Sequence, residues 1–273
     1  INDVEGAKNW MEIVHLGQAN EAKHKENLEE IKKTILPEEL VTIIYTSGTT
    51  GNSKGVMLSH HNLVTNFIAT SKIQPLKFGH KVLSFLPLCH VFERMVNYLF
   101  QYKGCAVYYA ESIEAVGDNI REIKPNGFAS VPRVIEKVYD KIEIKGKELT
   151  GIKKNLFFWA LGLANRYELN GANGAWYEFQ LKIARKLIFK KWQEALGGEI
   201  KVIVSGGAAL QPRLARIFNA AGIPLMEGYG LTETSPVIAV NQPHYPYMKF
   251  GTVGPVLDKV EVKIAEDGEI LMK

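Results

Sequence analysis

An α/β fold, with a mostly parallel sheet flanked by helices, is what this sequence predicts, on three observations. Short β-rich apolar runs, VTIIY from Val41, VLSFL from Val82, AVYYA from Ala106, GFASV from Gly127 and IKVIVS from Ile200, alternate with stretches of helical periodicity. Strands that alternate with helices imply a parallel sheet. Helix starts follow such runs: Ser59 suits an N-cap, and Pro132 and Pro212 suit the first turn of helices that come after strands. Finally, 46% of the 273 residues are hydrophobic, enough for a substantial buried core.

In chain order, residues 5–34 read as two charged amphipathic helices, with Trp10, Ile13 and Val14, then Leu28 and Ile31, at helical spacing. They form a helical lead-in to about residue 40, packed on the surface of a core that spans residues 41–250. Between about 139 and 196 the pattern turns mostly helical, which reads as an insertion between strands. Phe157, Phe158, Trp159, Trp176, Tyr177, Phe179, Phe189 and Trp192 are interspersed there among lysines and arginines. Basic helices with aromatics can lie on a membrane, but the same stripe more often packs on the protein's own core, so peripheral membrane contact stands as the second reading. From Gly251 a β-rich segment begins: Val260, Val262 and Ile264 alternate with Lys259, Glu261 and Lys263, and Asp267-Gly268 supplies a hairpin turn.

Bulk properties narrow the classes. A net charge of +4 fits an anionic ligand, a membrane surface or an ordinary globular protein. Nothing in the sequence points to a nucleic-acid partner. Cys89 and Cys105 sit in apolar settings without CxxC spacing, so neither a disulfide framework nor a zinc site is expected, and a reducing cytoplasm is the natural compartment. No apolar run is long enough for a transmembrane helix, and the first residues lack the pattern of a signal peptide. The sequence starts without methionine and stops within a probable strand, EILMK, so a fragment of a longer protein is expected.

The stretch YTSGTTGNSKGVMLSH, Tyr45 to His60, carries the most chemistry. Glycines Gly48 and Gly51 allow backbone N–H groups close to an anion, the hydroxyls of Thr46, Ser47, Thr49 and Thr50 add donors, and Lys54 adds a full charge. A Thr/Gly surface turn is the plain alternative. A Walker A loop is excluded, because glycine follows Lys54 instead of preceding it and no Ser or Thr is adjacent. Further along, EGYGLTET from Glu227 offers a flat Tyr229 ring beside Gly228 and Gly230, a Thr232 hydroxyl and a Glu233 carboxylate. A ring of this kind can stack on a base for about 1–3 kcal/mol, and a carboxylate of this kind suits Mg2+, which takes few protein ligands when it bridges nucleotide phosphates. A third segment, LPLCHVFERMVNY from Leu86, puts His90 at the head of a helix with Val91, Met95 and Leu99 on one apolar face.

These segments together resemble the adenylate-forming superfamily, which holds acyl-CoA synthetases, luciferases and peptide-synthetase adenylation domains. The first loop is similar to that family's phosphate-binding loop, with Ser53 in place of its usual proline. The resemblance implies the large N-terminal domain of that fold in part, with ATP, Mg2+ and CoA as its cofactor and co-substrates. It implies that Thr46, Ser47, Gly48, Thr49, Thr50, Gly51 and Lys54 surround the β- and γ-phosphates, Thr46 and Glu233 hold Mg2+, Thr232 secures the α-phosphate and Tyr229 stacks on adenine, within a nucleotide contact running from Glu227 through Gly230. SGGAAL, from Ser205, resembles the strip along the adenine, with Gly207 and Ala208 close to the ring. PLxH resembles the family's acyl-side motif, which sets His90 beside the acyl carboxylate and Val91 and Arg94 near the nucleotide and the tunnel mouth. Lys54, Thr232, Glu233 and His90 are therefore the candidate catalytic residues.

HVFERM, SVPRVIEKVYDKI and the helical insertion are most similar to long-chain fatty acid CoA ligases. The implied reaction joins a fatty acid to CoA through an acyl-adenylate, releasing pyrophosphate and then AMP. An adenylating ligase for an aryl, bile or amino acid is the alternative, as is a nucleotide- or lipid-binding module without turnover. The family also needs an aspartate in a TGD segment and a lysine on a mobile C-terminal domain; neither motif occurs here, so the fragment is expected not to complete adenylation by itself. Chain-length preference and oligomeric state are open at this point.

Overall fold

The computed structural model describes residues 6–47, 51–243 and 246–273. Its central sheet has six strands: β3 (Lys81–Ser84), β4 (Ala106–Tyr109), β5 (Gly127–Ser130), β6 (Val202–Ser205), β7 (Leu225–Gly230) and β8 (Val237–Val240), in the order β4-β3-β5-β6-β7-β8. All neighbours run parallel except β7 and β8, which are antiparallel.

Side chains alternate across a strand, so successive apolar residues serve two opposite cores. Leu83, Phe128, Ile203 and Leu225 join one buried cluster, while their neighbours Val82, Ala129, Val202 and Met226 join the other. This explains why the predicted strands read as continuous apolar runs and not as alternating ones. The first cluster is completed by α4 (Val116–Ile123), α9 (Pro212–Ala220) and the helices between β5 and β6: α5 (Pro132–Glu148), α6 (Gly151–Asn165), α7 (Ala175–Ala184) and α8 (Lys190–Ala195). The second is built on α3 (Val91–Tyr102), with Phe67 and Ala69 of α2 (His60–Ser71) packed against it.

Helix α3 leads from β3 outward to β4, and α4 returns the chain to the opposite side of β3, where β5 pairs. The two helices cover opposite faces of the sheet. Such a reversal of winding opens a crevice at the carboxyl ends of the strands.

Three expectations change. VTIIY belongs to β1 (Leu40–Thr46), which pairs antiparallel with β2 (Lys54–Ser59) in a separate two-stranded ribbon and not in the parallel sheet. Its alternating exposure marks a ribbon with one covered side. The lead-in is one helix, α1 (Trp10–Thr34), not two. Asn9 and Glu12 form a capping box at its start, and the run holds no proline; the single interior Gly17 costs only about 1 kcal/mol. Nor is α1 packed down: none of its residues is buried, and Trp10 is 64% exposed.

The helix starts agree with the sequence. Ser59 caps α2 in a capping box with Asn62, and Pro132 and Pro212 lie in the first turns of α5 and α9. Among the insertion's aromatics, Phe157, Tyr177, Phe189 and Trp192 are buried, whereas Trp176 and Phe179 stack on each other at the surface. The C-terminal hairpin forms from β9 (Val262–Ile264) and β10 (Ile270–Met272). No helix among the described residues is long and apolar enough to cross a membrane.

Candidate nucleotide and acyl site

A cavity of about 720 Å3 opens at the carboxyl ends of the parallel strands. Its rim is made by segments that leave those strands: Phe85, Leu86 and Pro87 after β3, Val131 after β5, Gly206 and Gly207 after β6, and Gly228 to Glu233 at the end of β7 and beyond. Thr46, the last residue of β1, and Ser47 after it also line the cavity. Below the rim the walls are apolar, formed by Met95, Val96, Leu99 and Phe100 of α3 together with Ala129, Val202, Val237 and Val240 of the sheet.

The fold unites the first two motifs here. The Thr46 hydroxyl donates to Glu233 Oε1 at 3.4 Å across 187 residues of sequence. Octahedral ligands about 2.1 Å from an ion lie about 3 Å apart along a shared edge, so these two oxygens can share one Mg2+. Among the described residues no three His, Cys, Asp or Glu side chains converge on a metal position. The remaining ligands would then be phosphate oxygens and water, the usual arrangement for Mg2+ at a nucleotide.

Tyr229 lies on β7 opposite Ala239 of β8, partly exposed and facing the cavity. Gly230 is required by its surroundings: a Cβ there would fall 1.8 Å from the Pro236 carbonyl oxygen. The sequence reading gave this glycine the task of leaving room beside Tyr229; the close backbone crossing is a second, stronger reason. Thr232 and Glu233 follow in a short 3-10 turn whose Thr234 hydroxyl accepts from the Leu231 N–H at 2.8 Å. Gly207 adopts a φ of +80°, a conformation open to glycine, and lines the cavity, while Ala208 beside it is exposed and off the wall.

Glu227 has a different position from its neighbours in the motif. It is buried, and its Oε1 accepts from the Leu210 N–H at 2.8 Å, fastening the SGGAAL turn to β7. Burial raises its pKa and the Leu210 hydrogen bond partly offsets this. Gly228, next to it, does line the cavity.

His90 sits at the N-cap of α3, exposed and on the cavity rim, and Val91 behind it is buried in the wall. Arg94 faces away into a shallower hollow shared with Thr42 and Tyr45, where its Nη1 donates to the Thr42 hydroxyl at 3.0 Å and its Nε to the Leu88 carbonyl at 3.3 Å. Lys54 is exposed at the start of β2, in register with Thr46, and stands outside the cavity wall. Gly51 is exposed with φ +89°. Gly48, Thr49 and Thr50 lie outside the described residues.

Three buried polar residues of the cavity, Glu93, Gln74 and Thr70, have no role assigned by the sequence motifs. Glu93, one turn after His90, is 1% exposed, and its Oε1 accepts from the Ser84 hydroxyl at 2.5 Å and from Asn97 Nδ2 at 3.4 Å. Burial pushes its carboxyl up to about 7 against the pull of the Ser84 and Asn97 hydrogen bonds. Gln74, in the turn after α2, also lines the cavity and is buried. The only available signal was an acid and an amide beside otherwise apolar elements, which alone does not separate a wall residue from a surface one.

Comparison with known proteins speaks to the family and the fold. A family model described as "AMP-binding enzyme" matches residues 4–272. The chain is 34% identical over 254 residues to a putative fatty-acid–CoA ligase, fadD11, of Mycobacterium tuberculosis, covering 90% of this chain and 44% of the relative. It is 32% identical over 262 residues to long chain acyl-CoA synthetase 3 of Arabidopsis thaliana, covering 93% of this chain and 38% of the relative. The chain thus spans less than half of either relative's length. Among solved structures, o-succinylbenzoate coenzyme A synthetase of Bacillus subtilis, in complex with ATP and magnesium, superimposes with a TM-score of 0.58 at 20% identity, over 87% of this chain and 40% of that one. The N-terminal domain of FACL13 from Mycobacterium tuberculosis gives 0.58 at 19% identity, over 86% and 48%. At such identities the superpositions speak for the fold.

Proposed function

The chain belongs to the AMP-binding enzyme family, and from that premise we propose that it supplies the nucleotide- and acyl-binding part of a long-chain fatty acid CoA ligase. The observation that carries the reading is the lining of the cavity: polar residues Thr46, Ser47, His90, Tyr229, Thr232 and Glu233 at the rim and a mostly apolar interior. A fatty acid needs both parts, a chain-sized apolar slot and a place where its carboxylate meets a phosphate.

In the proposed reaction a carboxylate oxygen of the acid bonds to the ATP α-phosphorus as the bond to the bridging oxygen of pyrophosphate breaks. The CoA sulfur, after losing its proton to solvent, then bonds to the acyl carbon as that carbon's bond to the bridging anhydride oxygen breaks, and AMP leaves with that oxygen. Mg2+, held at Thr46 and Glu233, would neutralise charge on the phosphates. Tyr229 supplies a face for adenine, Thr232 a donor for the α-phosphate, and Lys54 with the Thr46–Gly51 loop a cradle for the leaving pyrophosphate. His90, which lines the same cavity, is the residue proposed to lie beside the acyl carboxylate.

The test is Glu233→Ala in the full-length enzyme that contains this chain. Turnover, followed as pyrophosphate release, should fall by more than about tenfold while the fatty acid dissociation constant holds within about twofold, because the lost contact is to the reacting phosphates and not to the acid. Unchanged turnover would refute the assignment. Pyrophosphate release across fatty, aryl, bile and amino acids then reads the substrate class.

A further inference from the structure

The cavity does not end in hydrocarbon. Its rim lies at the carboxyl ends of the strands, but its inner wall includes Leu76, Phe100, Thr70 and Gln74, which belong to the other end of the sheet. Leu76 packs where a Cβ on Gly127, the first residue of β5, would come within 3.2 Å of its Cδ2. Phe100 is in the last turn of α3, just before the chain enters β4. Gln74 is tied to the same level, because Lys103, the C-cap of α3, donates through Nζ to the carbonyls of Ser71 at 2.8 Å and of Gln74 at 2.9 Å. The cavity therefore runs down one face of the sheet, from the strands' carboxyl ends to their amino ends.

At that inner end Gln74 is only 7% exposed, and its Oε1, closed to solvent, has no hydrogen-bond partner among the described residues. Thr70, 5% exposed, donates its hydroxyl to the Asn66 carbonyl at 2.8 Å, so its oxygen retains acceptor capacity. A buried carboxamide oxygen without a partner is costly, and a methyl terminus pressed against it would leave that cost in place. A hydroxyl would remove it by donating to Oε1 once the carboxamide turns its oxygen toward the cavity that Gln74 lines.

We propose that the inner end of the cavity is a specificity subsite in which the Gln74 carboxamide, beside Thr70, receives a hydroxyl at the far end of an acyl chain. The proposal rests on the reading of the cavity as an acyl site. It makes ω-hydroxy fatty acids the favoured class within that reading. Lys103 acts as the positioning residue, since it anchors the backbone that carries the amide.

The experiment compares each ω-hydroxy acid from the twelve-carbon to the sixteen-carbon member with its unsubstituted parent, by calorimetric titration of the full chain, native and with Gln74→Met or Gln74→Leu. At the length that spans the cavity, the native chain should prefer the hydroxy acid by roughly threefold to tenfold, the worth of one neutral hydrogen bond. Both substitutions should abolish or invert that preference, and Gln74→Met keeps an unbranched side chain if Gln74→Leu does not fold. A purely structural role for Gln74 would weaken both acids alike and leave the ratio unchanged, which overturns the proposal. A native ratio of one at every length overturns it without any variant. If the parent acids bind and only the preference is missing, the acyl reading stands and the subsite falls; if neither series binds, both fall.

Discussion

Replacing Glu93 with glutamine should alter the pH dependence of stability more than stability itself. The side chain is buried and hydrogen-bonded through Oε1 to Ser84 and Asn97, while Oε2 has no hydrogen-bond partner among the described residues. Its carboxyl is raised from 4.5 to about 7, first by burial. Below the unfolded value both states hold the proton and the native state carries no penalty. Between the two values the folded protein keeps a proton that the unfolded chain has lost, so stability falls as pH rises. Above the folded value the loss is complete, at about 3 kcal/mol for a shift of this size. Glu93→Gln keeps an oxygen acceptor for Ser84 and removes the ionisation. In urea unfolding of both chains, the variant should match the native chain within about 1 kcal/mol near pH 4.5 and exceed it by up to about 3 kcal/mol near pH 8. The difference between the two curves isolates this group from every other titration. A difference that stays flat across that range, or grows in favour of the native chain, would refute the buried, proton-holding carboxyl.

Three further substitutions test other parts of the structure. Asn66 grips β8 with both ends of its amide, donating to the Val237 carbonyl at 2.8 Å and accepting from the Val237 N–H at 3.2 Å; Asn66→Ala leaves two buried backbone groups without partners and should cost about 2–4 kcal/mol in urea unfolding. Phe189 is fully buried and meets Trp192 edge-on at 4.8 Å, so Phe189→Ala should cost about 3–5 kcal/mol, and a loss below about 1 kcal/mol would contradict the packing. Gly230→Ala must displace either the Pro236 backbone or β7 itself; fluorescence titration with an ATP analogue should show weaker binding, and native affinity would show that Tyr229 and Thr232 do not depend on that crossing.

Much of this was legible locally. Helix starts at Ser59, Pro132 and Pro212 are written in the residues that satisfy or omit terminal N–H groups, and four of the six strands of the central sheet, β3 to β6, stand out as apolar runs. The chemistry of Thr46, Tyr229, Thr232 and Glu233 was likewise legible, because each residue type carries its own donors, charge or ring. The ribbon of β1 and β2 was not, since an apolar run such as VTIIY suits either a parallel core strand or a half-covered hairpin, and only its partner decides. The single helix α1 shows the same limit: two separate sets of apolar positions, Trp10, Ile13 and Val14, then Leu28 and Ile31, read as two helices, yet nothing between them forbids a continuous one.

By itself, then, the sequence determined the class of fold, the positions of most elements and the chemical content of the motifs, because periodicity, capping and functional groups are properties of a residue and its near neighbours. Tertiary structure alone decided that Thr46 meets Glu233, that Glu227 fastens a turn, and that Glu93 and Gln74 are enclosed with an oxygen each left over. Those outcomes depend on which surfaces meet across long stretches of chain. The cost of burying a polar atom is set by its surroundings, and the surroundings exist only once the sheet and its helices have closed around the cavity.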